Sequence, residues 1–286
     1  MDRQEKTGAV KDSDVTNAGW GRRERLGLKR GYPDIWTEAI CDWQQSVDFL
    51  VLVHIHYLDL ASELFEKIRN INQEFDLIIT YTECLTPDFR PLSQMKMARS
   101  TITLPVPNRG RDLLPMVFVV NAGFLTGYKT VLKLHTKKSE WRNRHPLEGT
   151  GTEWREKILS ELLLDDRASR YVQELVRSRD LGIVGPKGSV LDGQYFVGGN
   201  QQQISALCSR NQISEDIVGT YSFVAGSMYY IRAFLLQGLR SFDLEIEDFE
   251  PETGQTDGTM AHAIERFLGL AAALSGLTVR STDQFD

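Results

Sequence analysis

The stretch from Pro107 to Ser139, PNRGRDLLPMVFVVNAGFLTGYKTVLKLHTKKS, decides how the rest of the chain is read. It opens on a polar turn, Asn108-Arg109-Gly110-Arg111-Asp112, and runs into an apolar segment. Asp112 can cap a helix reaching to about Gly123, with Pro115 in the first turn, where no intrahelical N–H is needed. An apolar strand, Thr130–His135, then delivers His135, Thr136, Lys137, Lys138 and Ser139 together. Between Lys129 and Arg144 six basic residues (129, 133, 137, 138, 142 and 144) stand against one acid, Glu140. The whole chain has a formal net charge of −6. A basic mouth at the end of a strand in an acidic protein asks for an anionic ligand.

Working outward, Asp48–Tyr57 (DFLVLVHIHY) is rich in β-branched and aromatic residues, as a buried parallel strand should be. Asp59 reads as the N-cap of a helix with Leu60, Leu64, Phe65 and Ile68 on one face. Phe75–Thr82 is a second strand. Arg99–Val106 is a third, ended by Pro105 and Pro107. Further helices are expected over Glu153–Leu164, with Trp154, Ile158 and Leu162 aligned, and over Ala168–Arg179. Leu181–Val184 is a short strand stopped by Gly185-Pro186, and Tyr221–Ile231 a strand or hairpin with a central glycine. The last helix, Thr259–Leu274, turns Met260, Ile264, Phe267, Leu268 and Ala271 inward. This alternation predicts an α/β fold: an open, mostly parallel Rossmann-like sheet flanked by helices. Residues 1–30 are polar and weakly periodic and read as a mobile tail, with residues 31–286 as a single domain. No internal repeat or low-complexity segment is found.

Composition narrows the function. At 286 residues and 41% hydrophobic, the chain can bury one large core or two modest ones. A pI near 5.5 argues against a nucleic-acid partner. The polar N-terminus has no apolar signal-peptide core, and no apolar run is long enough to span a bilayer. Cys41, Cys84 and Cys208 form no CxxC pair and read as buried free thiols in a reducing, cytoplasmic compartment. Peripheral association with the inner face of the membrane, through a partner or a lipid-linked substrate, is compatible with this.

Several motifs resemble the rhamnan synthesis protein F family of polysaccharide-building proteins. They are VHIHY at 53–57, NRGRDLLP at 108–115, YKTVLKLHTKKSEWR at 128–142 and Trp154-Arg155 opening a helix. LGIVGP at 181–186, VAGSMYYIR at 224–232 and FEPETGQTDGTMAHAIERFLG at 249–269 follow in the family's order. The resemblance covers roughly residues 47 to 280 and implies a rhamnosyltransferase of glycan synthesis. It also implies the layout of a GT-A glycosyltransferase: a first strand for the nucleotide, a central strand ending at the donor diphosphate, and a late acidic segment at the acceptor. The expected partners are a nucleotide-sugar donor such as dTDP-rhamnose and a glycan or lipid-linked acceptor. One departure matters. Where GT-A enzymes commonly carry Asp-x-Asp to hold a divalent metal, this chain reads His135-Thr136-Lys137. No metal ligand and no required cofactor are therefore expected.

Within that frame Lys137 and Lys138 are expected to neutralise the leaving diphosphate. Asn108, Arg109, Gly110, Arg111, Asp112, His135, Thr136 and Ser139 would bind the donor, the arginines through bidentate phosphate contacts. Asp112 is open between an N-cap and a contact to nucleoside or sugar. From Asp243 to Asp257 there are seven carboxylates and no basic residue. Asp257 is the expected general base, with Glu250, Glu252 and His262 at the acceptor. His262 and Glu265 read as a structural pair. His54 and His56 could flank a nucleobase, and Trp141 and Trp154 could stack on sugar. Two rivals stand beside this reading: a glycan- or nucleotide-sugar-binding domain without catalysis, and a phosphotransferase. The latter is weakened by the lack of a Walker-type loop.

Overall fold

A computed structural model describes residues 31–139, 142, 149–214 and 221–285. The expected tail over residues 1–30, the Trp141 wall and Arg144 lie outside the described residues. In chain order the elements are α1 (Asp34–Asp42), β1 (Phe49–Ile55), α2 (Ala61–Ile68), β2 (Phe75–Thr82), β3 (Ala98–Val106), α3 (Leu113–Ala122) and β4 (Thr130–His135). They continue with α4 (Gly151–Leu163), α5 (Arg167–Arg177), β5 (Leu181–Gly185), β6 (Val190–Asp192) and α6 (Gln201–Arg210). The chain closes with β7 (Ser222–Val224), β8 (Tyr229–Arg232), α7 (Ala233–Gln237), α8 (Met260–Leu274) and β9 (Thr278–Ser281).

Seven strands form one sheet in the order β3-β2-β1-β4-β8-β5-β9. All neighbours are parallel except β8, which runs antiparallel to both β4 and β5. This is the expected mostly parallel, Rossmann-like α/β architecture. All seven residues of β1 are buried, because helices cover both sides. Strand alternation divides the core. Leu50, Leu52 and Val131 pack with α1, α3 and α8 on one side. Val51, Val53, Leu132 and Leu134 pack with α2, α4 and α5 on the other. Helix α3 is apolar on every side and buried from Leu113 to Asn121, as a helix enclosed by other elements must be. It ends at Gly123 in the left-handed region, at φ 91°.

Several expectations change. Pro105 does not end β3; it pairs with Tyr81 inside the strand. That is tolerated because β3 is a sheet edge, where no neighbour needs the missing N–H. Asp59 is not the cap of α2, whose N-terminus makes no side-chain cap; it pairs instead with Lys138, at 2.9 Å. Residues 221–231 are not a hairpin. β7 pairs with β6 in a separate two-stranded ribbon, and β8 enters the main sheet. Only Cys208 is buried; Cys41 and Cys84 are exposed. Helices α1 and α6 and the edge strand β9 had no counterpart in the sequence reading.

Candidate functional site

The carboxyl ends of β1, β2 and β4, the turn after β5 and the turn entering β8 share one edge of the sheet. There they line a cavity of about 1340 Å³. Among the expected residues, Asn108, Arg111, Asp112, His135, Thr136 and Lys137 reach it. So do Lys138, Ser139, Glu252, Asp257 and His262. Arg109, Gly110 and Glu250 do not.

The arginine turn is a brace as well as a wall. Gly110 has φ 60°, and a Cβ there would sit 2.5 Å from the Phe249 ring and 2.6 Å from Leu114 Cβ. Arg109 Nε donates to the Phe249 carbonyl at 2.6 Å, and its backbone bridges to Pro251. Arg109 therefore holds the 249–251 segment against the start of α3, in place of the expected phosphate contact. Arg111 stays in the cavity. Its backbone N–H donates to Glu252 Oε1 at 3.0 Å, and its guanidinium reaches the Gln255 carbonyl and His262 Nε2, the latter at 3.1 Å. A guanidinium only donates, so His262 Nε2 accepts and its proton lies on Nδ1, 2.8 Å from the Thr259 hydroxyl. Burial, then Arg111, pulls the His262 pKa down to about 4. Both ring nitrogens of His262 are thus engaged within the protein.

Asp112 occupies the N-cap position of α3 without capping it. Its carboxylate is bound by Lys133 Nζ, which also donates to the Ser227 carbonyl at 3.0 Å. Lys133 is 2% exposed. The basic mouth is accordingly smaller than the sequence count. Lys133 is neutralised beneath the cavity floor, and Lys129 sits at the opposite end of β4, paired with Asp48 at 2.5 Å. Burial opposes ionisation of Asp112; His135 and Lys133 favour it and win, holding the carboxyl well below its usual range. Since burial keeps His135 itself neutral, at about 4, the cation facing Asp112 is Lys133. His135 donates from Nε2 to the Gly226 carbonyl at 2.9 Å.

Position fixes the other β-strand ends. Thr136 Oγ1 accepts from the N–H groups of both His56 and Tyr57 at 2.9 Å, tying β4 to β1. His54 meets Thr80 and His56 meets Thr82 at 3.0 Å each, with burial lowering the His54 pKa to about 3. Gly151, opening α4, packs so tightly on the Lys138 and Ser139 carbonyls that no Cβ would fit. Lys137 is half-buried, its ammonium 4.8 Å from the Trp154 ring centroid. Burial lowers its pKa against the opposing pull of Glu265 and Asp112, and among the described residues no carboxylate lies within ion-pair distance of it. Lys138 lies over the Tyr57 ring at 5.0 Å.

The acidic segment contributes Glu252 and Asp257 to the cavity lining. Glu250 Oε2 accepts from the Met260 N–H at 2.9 Å, serving the α8 N-terminus. Burial raises the pKa of Glu252. Asp257 accepts from Gly199 N–H at 2.9 Å and Asn200 Nδ2 at 2.6 Å, with Arg266 at 3.4 Å. Burial would raise its pKa, but these donors win and lower it. Glu265 holds the turn into β8, accepting from Gly226 N–H at 2.8 Å and Ser227 Oγ at 3.0 Å. Among the described residues no three His, Cys, Asp or Glu side chains gather as a metal-binding set.

Sequence reading missed Lys133 as a buried partner and the Lys187-Gly188-Ser189 turn. The first had a signal: Lys133 shares the alternating face of β4 with His135, so it points inward. The second had none beyond its glycine.

The sequence model of rhamnan synthesis protein F matches residues 37–276. Uncharacterized protein WxcX from two strains of Xanthomonas campestris pv. campestris is 34% identical over 279 residues, 97% of this chain and 38% of that protein. The chain thus spans under two-fifths of the length of these curated relatives. No described helix is long and apolar enough to cross a membrane. With most of its length inside the family match, the chain belongs to the rhamnan synthesis protein F family.

Proposed function

We propose that the protein is a glycosyltransferase. It moves a deoxyhexose, with rhamnose the first candidate, from a nucleotide sugar such as dTDP-rhamnose onto a cell-surface polysaccharide or lipid-linked glycan. Its family is described by rhamnan synthesis, which supports the product class. One observation carries the reading: Lys137, a desolvated ammonium stacked on Trp154 inside the cavity, has no ion-pair partner among the described residues, and Glu265 and Asp112 act on it only from longer range. A cation kept in that state favours an anionic guest, and a diphosphate supplies the charge. Work at the inner face of the membrane would follow from a lipid-linked acceptor.

In this mechanism the nucleoside lies toward His54, His56 and Tyr57, as in the GT-A layout. The acceptor hydroxyl loses its proton to a carboxylate, its oxygen attacks the anomeric carbon, and the nucleoside diphosphate leaves with the bonding electrons. Lys137 and Arg111 meet the developing charge. Glu252 is better suited as base than Asp257, since burial raises its pKa whereas donors stabilise Asp257 as the anion. Glu252→Gln should cost about 10²–10⁴ in turnover, with donor affinity retained, as read by nucleoside diphosphate release. A larger loss in Asp257→Asn with intact thermal stability would return the base role to Asp257.

The test of the whole reading is a thermal-shift screen against dTDP, UDP and GDP and their sugar conjugates. A ligand at 100 times its Kd should add about 2.7 kcal/mol. The absence of any shift would end the proposal. The engaged oxygens of Asp257 favour one rival, a nucleotide-sugar-binding domain that performs no transfer; binding without diphosphate release in the presence of acceptor would select it.

A further inference from the structure

Resting on the donor reading above, we propose that the turn after β5, centred on Ser189, is the subsite that recognises the sugar of the donor. Ser189 is 2% exposed and lies on the cavity wall. Its backbone is fully used: the N–H donates to the Pro186 carbonyl at 2.9 Å, and the carbonyl accepts from Ala225 N–H at 2.8 Å. Among the described residues its hydroxyl has no hydrogen-bond partner. A buried hydroxyl in that state forgoes the bonds it would have in water, and such groups call for a reason. A ligand hydroxyl is one that fits a residue of the cavity wall, with the Ser189 side chain turning about χ1 to meet it.

Strand order places this turn relative to the other groups. Along the lined edge the succession is β2, β1, β4, β8, β5. Neighbouring strands lie about 4.8 Å apart, so the span from the β2 end to the β5 turn is roughly 19 Å, with the β4 end midway. Thr82, His56 and Tyr57 stand at one end, Lys137 at the middle, and Ser189 at the other end. From Lys137 to Ser189 is two steps, about 10 Å, the reach from a bound phosphate across one hexose. An extended nucleotide sugar laid with its base on the β1 and β2 ends and its diphosphate at Lys137 brings its sugar to Ser189.

The chemistry of the turn fits an uncharged sugar better than a second phosphate. Lys187, its one cation, is directed to Asp283, at 3.9 Å. Leu191 and Ala225 line the wall beside Ser189 and offer aliphatic surface. One hydroxyl beside aliphatic side chains suits a sugar that presents both hydroxyls and an apolar face, as a 6-deoxyhexose does with its methyl group.

The experiment compares two ligands on three proteins by titration calorimetry. The ligands are the nucleoside diphosphate selected by the thermal screen and its rhamnose conjugate; the proteins are the parent, Ser189→Ala and Lys137→Ala. Ser189→Ala should bind the bare diphosphate like the parent and lose about three- to tenfold in affinity for the conjugate. Its thermal midpoint should hold or rise, since an unpaired hydroxyl is removed. Lys137→Ala should weaken both ligands. Parent-like binding of the conjugate by Ser189→Ala, or equal loss of both ligands, would overturn the sugar subsite while leaving the donor reading intact. If the parent binds neither ligand, the donor reading itself fails and the subsite goes with it.

Discussion

Lys137 and the histidines show opposite solutions to burying a titratable group. Lys137 stays beside a large cavity with an aromatic face as its neighbour, so its charge is available to a guest. Lys137→Ala should weaken diphosphate binding by about 1.5–3 kcal/mol, the scale of a charge-assisted contact. Thermal stability should stay near that of the parent, because the desolvated ammonium has no ion-pair partner among the described residues. Calorimetry and a melting curve on the same sample check both. The four described histidines (54, 56, 135 and 262) are instead held neutral, all with lowered pKa. The unfolded chain takes up their protons near pH 6.5, while folded His135 and His262 wait until about 4 and His54 until about 3. The unfolded state therefore binds more protons throughout that window, and stability is complete above pH 6.5 and falls as the pH drops through it. Each such group contributes up to about 1.4 kcal/mol per pH unit. Asp112, whose carboxyl is depressed by its cation, adds a loss at still lower pH. Urea denaturation at pH 7 and pH 5 should show a clear drop, shallower in His54→Gln.

The arginine turn and the acidic segment work as one clamp, and Arg109 is its pin. Arg109→Ala removes the bond to the Phe249 carbonyl and loosens the 249–251 segment. It should cost about 1–2 kcal/mol of stability and weaken diphosphate binding less than Lys137→Ala; the reverse ranking would restore Arg109 as a phosphate ligand. What was legible here follows from local pattern. NRGRDLLP and HTKKS were readable as a polar turn and a strand end because a strand's alternation and a helix's cap are local. Whether Arg109 or Arg111 faces the cavity was not, since Phe249 lies 140 residues away. The same holds for Asp112, whose partner Lys133 comes from the next strand, and for Asp257, whose oxygens are taken by Gly199 and Asn200. The parallel half of the sheet was readable from dense β-branched runs. Short or polar elements such as β9 and α6 were not, because their burial comes from neighbours and not from their own periodicity.

If the protein transfers a sugar as proposed, its activity should persist in excess EDTA, because the end of β4 brings Lys137 and Lys138 to the cavity and not a pair of carboxylates. Complete loss on chelation, restored by Mg²⁺ or Mn²⁺, would direct attention to Asp112, Glu252 and Asp257 as oxygen ligands. The sheet order has a further effect on how the molecule is made. β4 obtains its second neighbour only when β8 arrives, with Thr130 opposite Arg232 and Lys133 opposite Tyr229. During synthesis the parallel quartet β3-β2-β1-β4 can zip together early, yet its last strand stays an open ribbon edge until nearly a hundred further residues have emerged. For that interval Lys133 lacks the Ser227 carbonyl that completes its burial. A nascent chain stalled before Tyr229 is consequently a sticky intermediate, prone to edge-to-edge pairing with its copies, and a client for chaperones until the antiparallel strand seals it.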